Sequence, residues 1–79
     1  MSANVPMPLS MAPIGVQVRL EEIRAGQRLA HRLAELGLTP GIELDVIQNA
    51  GGLILVAVRD SRLALGRGMA HKVMVTCIP

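Results

Sequence analysis

The sequence contains no phenylalanine, tyrosine or tryptophan, and that absence narrows its function before any motif is read. Modules that hold single-stranded nucleic acid stack bases on aromatic side chains interleaved with basic ones, so no nucleic-acid partner is expected. Cysteine is reduced to Cys77, which excludes an internal disulfide and suits a reducing compartment. No apolar run approaches the roughly 20 residues of a membrane-crossing helix; the longest, Leu53 to Val58, is strand-sized. Direct membrane insertion is therefore not expected. Met1 to Pro8 has neither a basic n-region nor an apolar h-region, so no signal peptide is expected and the reading is cytoplasmic. A Gly-x-x-x-x-Gly-Lys-[Ser/Thr] phosphate loop is missing, and no catalytic constellation is visible, so the chain is read as no enzyme.

What is present is aliphatic. Of 79 residues, 25 are Leu, Ile or Val, and 51% are apolar against 18% charged, a balance that excludes a disordered polar chain. The net charge of +2 is mild, and the basic residues are scattered rather than clustered. Residues 1–6 read as a disordered N-terminal segment and 7–79 as one small domain. A domain of this size often leans on a metal or a partner for stability.

The pattern is that of short strands. Leu9 to Pro13 reads as an apolar anchor and one helical turn with Ser10 as its N-cap. Ile14, Val16, Val18 and Leu20 then alternate with Gly15, Gln17, Arg19 and Glu21, which places one face inward. Gln27 to Leu36 changes to helical spacing, with Leu29, Leu33 and Leu36 on one side and Arg28, His31, Arg32 and Glu35 on the other. Gly37 is placed to close this helix in the left-handed conformation, with Leu38 folding back on Leu33; Pro40-Gly41 fits the centre of a type II turn. Ile42 to Gln48 is expected to be a strand, Asn49 to Gly52 a turn, and the apolar run Leu53 to Arg59 a strand buried on both faces. Arg59 to Arg62 reads as a tight hairpin, and Gly66 to His71 as a short helical turn. In the last strand, Lys72 to Ile78, both faces are apolar, which predicts that one is shared with a partner. The sum is a mainly β fold: a small, partly open barrel of about five strands with one α-helix inserted between strands 1 and 2.

Three segments, in order and spacing, resemble the FeoA family, the small SH3-like accessory proteins of bacterial ferrous-iron transport. They are Leu9 through Gly15, Arg32-Leu33-Ala34-Glu35-Leu36-Gly37-Leu38-Thr39-Pro40-Gly41, and Ser61-Arg62-Leu63-Ala64-Leu65-Gly66-Arg67-Gly68-Met69-Ala70. The resemblance implies an SH3-like barrel, a cytoplasmic location, and association with the FeoB membrane transporter, which carries a GTP-binding domain. Similar barrels form the C-terminal domain of iron- and manganese-dependent repressors. A small divalent-metal sensor or carrier related to them is therefore the alternative function.

Candidate residues follow from these readings. Leu36, Leu38 and Thr39, flanked by Arg28 and Arg32, form the expected partner-binding surface at the capped helix end. Arg62 and Arg67 extend the set of arginines available to an acidic partner. His31 and Glu35, at i and i+4, are the candidate metal pair, with His71 as a further nitrogen and assembly across a dimer as a route to more ligands; the competing reading is a solvated pair. Cys77 reads as a small core side chain. No resident cofactor is expected beyond that possible metal.

Overall fold

A computed structural model of the chain describes residues 5–79. The expected disordered segment falls mainly on residues 1–4, outside the described ones. The described chain builds β1 (Met7–Pro8), a single 3₁₀ turn (Leu9–Met11), β2 (Gln17–Ile23), α1 (Gln27–Glu35), β3 (Glu43–Ala50), β4 (Leu53–Val58), β5 (Ser61–Gly66), α2 (Arg67–Ala70) and β6 (Val73–Cys77). All pairings are antiparallel, in the order β1-β6-β2-β3-β4-β5. The strand beyond the expected five is β1, two residues long and half proline, which pairs Met7 with Val75 and Pro8 with Met74. The sheet curls but does not close. Its open seam is plugged by the 3₁₀ turn and α2, which touch each other as well as β4, β5 and β6. Leu9, Ala12 and Ala70 are buried there.

Alternation decides the core. Val18 and Leu20 of β2, Leu44 and Val46 of β3, Ile54 and Val56 of β4, and Val73 and Val75 of β6 point inward and are fully or almost fully buried. From α1, Leu33 is fully buried and Leu29 half-buried. The aliphatic core is therefore continuous across all the longer elements.

Several expectations are corrected. Ser10 caps nothing: the residue before the 3₁₀ turn is Pro8, no side chain caps it, and Ser10 is buried. Ile14 is 60% exposed, because Gly15 (φ 87) turns the chain there and β2 begins only at Gln17. The run Leu53 to Val58 is not buried on both faces: Ile54, Val56 and Val58 face the core, while Leu53 is exposed and Leu55 and Ala57 are half-buried. The turn expected over Asn49 to Gly52 is shorter, since Asn49 and Ala50 pair with Ile54 and Leu53 and leave a two-residue loop. Gly51 and Gly52 (φ 65 and 81) supply the two positive values a type I′ hairpin needs.

The second face of β6 is not left for a partner. Met74 and Thr76 are buried by the chain itself. Pro8 pairs opposite Met74, and a bulge between Leu20 and Glu22 brings in Glu21, whose Oε2 accepts a 2.7 Å hydrogen bond from Thr76 Oγ1.

Candidate functional site

The junction after α1 forms as its residues dictate. The Leu38 N–H donates to the Leu33 carbonyl at 2.9 Å and the Gly37 N–H to the Ala34 carbonyl at 2.9 Å, the two bonds of a Schellman cap. Gly37 adopts φ 93, and Leu38 and Leu33 are both fully buried. The Ile42 N–H donates to the Thr39 carbonyl at 3.1 Å across Pro40-Gly41, with Gly41 at φ 95, so the type II turn is present. A second bond, from the Gly41 N–H to the Leu20 carbonyl at 2.7 Å, ties this turn to β2.

This frame sorts the expected partner-binding residues. Leu36 lies outside the leucine stripe expected for it: as the C-cap it is 45% exposed. Thr39, Arg28 and Arg32 are exposed as well. Leu38 is corrected, because a fully buried side chain that locks the cap presents nothing to a partner.

On the polar face of α1, His31 Nε2 lies 3.3 Å from Glu35 Oε2, with both side chains largely exposed. Among the described residues, no group of three or more His, Cys, Asp or Glu gathers in one place. His71 sits instead at the end of α2, and Cys77 packs half-buried against the core.

The seam holds a polar cluster that sequence reasoning missed. Asn49 Nδ2 donates to the carbonyls of Ser10 (3.1 Å) and Ala12 (3.4 Å), and Asn49 Oδ1 accepts from Arg67 Nη2 at 2.7 Å. Arg67 Nη1 also reaches the Ser10 carbonyl at 3.4 Å, and Ser10 Oγ lies 3.1 Å from His71 Nδ1. The only available signal was an asparagine inside a strand, where that residue is disfavoured unless its side chain has a task. Although serine and histidine meet here, the hydroxyl is buried, and the described ion pairs provide no carboxylate to orient the imidazole. The pair fastens the 3₁₀ turn to α2.

On the outer face of β2, β3 and β4 lies an open cleft of about 450 Å³, lined by Gln17, Gly41, Ile42, Glu43, Asp45, Ala57 and Arg59. Its Glu43 is engaged by Arg19 at 3.4 Å. Neither a histidine nor a hydroxyl nucleophile lines it. No helix of the described residues is long and apolar enough to cross a membrane.

A mainly β, SH3-like domain with surface-borne arginines and aliphatics, and a polar latch across its seam, defines the class. Within that class, the chain belongs to the FeoA domain family, whose model it matches over residues 7–77. It is 38% identical over 68 residues to Fe(2+) transport protein A of Methanocaldococcus jannaschii, spanning 86% of this chain and 83% of that one. In three dimensions it is similar to the crystal structure of an iron uptake regulatory protein, FeoA, with a TM-score of 0.86 and 32% identity over 94% of this chain and 99% of that one. The solution structure of FeoA from Chlorobium tepidum gives 0.84 at 28% identity, over 92% and 71% of the respective chains. A manganese-dependent transcriptional repressor shares the fold at 20% identity, with a TM-score of 0.86, over 95% of this chain and 43% of its own.

Proposed function

We propose that this protein is a non-enzymatic, cytoplasmic accessory of ferrous-iron transport that binds an FeoB-type membrane transporter and modulates uptake. The observation that carries the reading is the likeness to an Fe(2+) transport protein over most of both chains. The geometry supports docking through the end of α1. Leu36 stands exposed on a backbone fixed by the Schellman cap, with Thr39 beside it and Arg28 and Arg32 along the helix. A rigid aliphatic and arginine surface loses little conformational entropy on binding and has the composition that interfaces favour.

The test is co-purification of this chain with the transporter's cytoplasmic GTP-binding domain, with and without nucleotide. Association in at least one state is expected. Its absence in both refutes the reading.

A further inference from the structure

β5 (Ser61–Gly66) lies at one end of the sheet and is paired only with β4. Register decides which of its backbone groups that leaves over. Leu53 faces Ala50 across the two-residue loop Gly51-Gly52, so its N–H and carbonyl point to β3. Ile54, Val56 and Val58 then point the other way, to Leu65, Leu63 and Ser61 of β5. The Arg67 N–H, bonded to the Gly52 carbonyl at 2.9 Å, continues the same alternation.

The N–H and carbonyl groups of Arg62, Ala64 and Gly66 therefore point away from β4. No backbone or side-chain hydrogen bond among the described residues takes them. All three residues are exposed, and for Gly66 that exposure is the backbone itself. α2 follows directly but turns inward, with Ala70 fully buried in the core. Such an edge is a template for one more strand.

We propose that the edge pairs with β5 of a second copy of this chain, antiparallel about a two-fold axis at Ala64. In that register Ala64 faces the second copy's Ala64 and Arg62 faces its Gly66, so every outward residue of one strand meets an outward residue of the other. Each facing pair exchanges both of its N–H···O bonds. Centring the axis on Leu63 or Leu65 loses one of those pairs, and centring it on Arg62 sets two arginines against each other. The side chains fit the Ala64 register. Gly66 presents none opposite Arg62, and the two arginines stand roughly 13 Å apart along the strands, beyond the screening length of about 8 Å. A strand from a different protein would need none of this symmetry. One strand edge per copy buries less than the roughly 1,200 Å² of stable complexes, so the dimer is weak and depends on concentration.

Sedimentation equilibrium of this chain alone, from about 10 μM to about 1 mM, tests the interface. The wild-type mass should rise toward that of a dimer. Ala64→Lys and Ala64→Glu should each associate at least tenfold more weakly, because like charges then oppose at the axis. An equimolar mixture of the two variants should recover at least the wild-type association. Their thermal midpoints should match wild type at the lowest concentration, since the Ala64 side chain is exposed and its N–H faces away from β4. Wild type that stays monomeric at the highest concentration overturns the dimer and leaves the edge to another protein's strand or to solvent. Ala64→Lys within twofold of wild type, or a mixture no better than either variant alone, overturns this register and the interface with it.

Discussion

Replacing Gly37 by alanine isolates the backbone contribution of the α1 junction. Gly37 sits at φ 93, a conformation that costs an L-residue about 1–2 kcal/mol. A Cβ built there meets only Val58 Cγ1, at 3.8 Å, an ordinary van der Waals contact. Packing therefore neither resists nor rewards the methyl group, and Gly37→Ala is expected to destabilise by about 1–2 kcal/mol from strain alone. For a domain of this size that lowers the thermal midpoint by roughly 5–15 °C. Gly68→Ala is the control. Gly68 lies in α2 without a positive φ, a Cβ there meets open space, and the change should be neutral or stabilising by up to about 1 kcal/mol. With no aromatic residue to report fluorescence, far-UV circular dichroism with heat and urea is the assay. The reasoning is refuted if Gly37→Ala stays within about 0.5 kcal/mol of wild type, the range of an ordinary surface change, or if Gly68→Ala costs as much.

Three further outcomes follow from the same contacts. Asn49→Ala removes three hydrogen bonds and leaves seam carbonyls short of a donor, so urea unfolding should show a loss of about 1–3 kcal/mol. Leu38→Ala empties a fully buried site and should cost about 2–5 kcal/mol by the same measurement, enough to threaten a domain this small. His31→Ala should change stability by no more than about 0.5 kcal/mol, because its pair with Glu35 is exposed. Titration of that variant with Co²⁺ should match wild type; a His31-dependent absorption band would revive the metal-sensor alternative.

The α1 junction was legible in the sequence because each of its signals is local. Glycine permits the positive φ, proline and glycine define the next turn, and Leu33 and Leu38 are five residues apart. Strand alternation was equally readable, with Val18, Leu20, Leu44 and Val46 falling on the buried face. The seam was not, because it depends on contacts between residues distant in sequence: Asn49 meets Ser10 and Arg67, and Ser10 meets His71. The burial of Met74 and Thr76 was hidden for a related reason, since it needs both a two-residue strand carrying a proline and a bulge that redirects Glu21. At the candidate docking face, periodicity assigned Leu36 to the core. Helix termination instead turned it outward, and the cap buried Leu38.

Docking on the transporter is tested most directly by a binding isotherm of its cytoplasmic GTP-binding domain with wild type and Leu36→Glu, in the presence and absence of nucleotide. Saturable binding by wild type is predicted, with Leu36→Glu at least tenfold weaker and its thermal midpoint unchanged. No saturable binding by wild type in either nucleotide state, or equal binding by the variant, would contradict docking through this face.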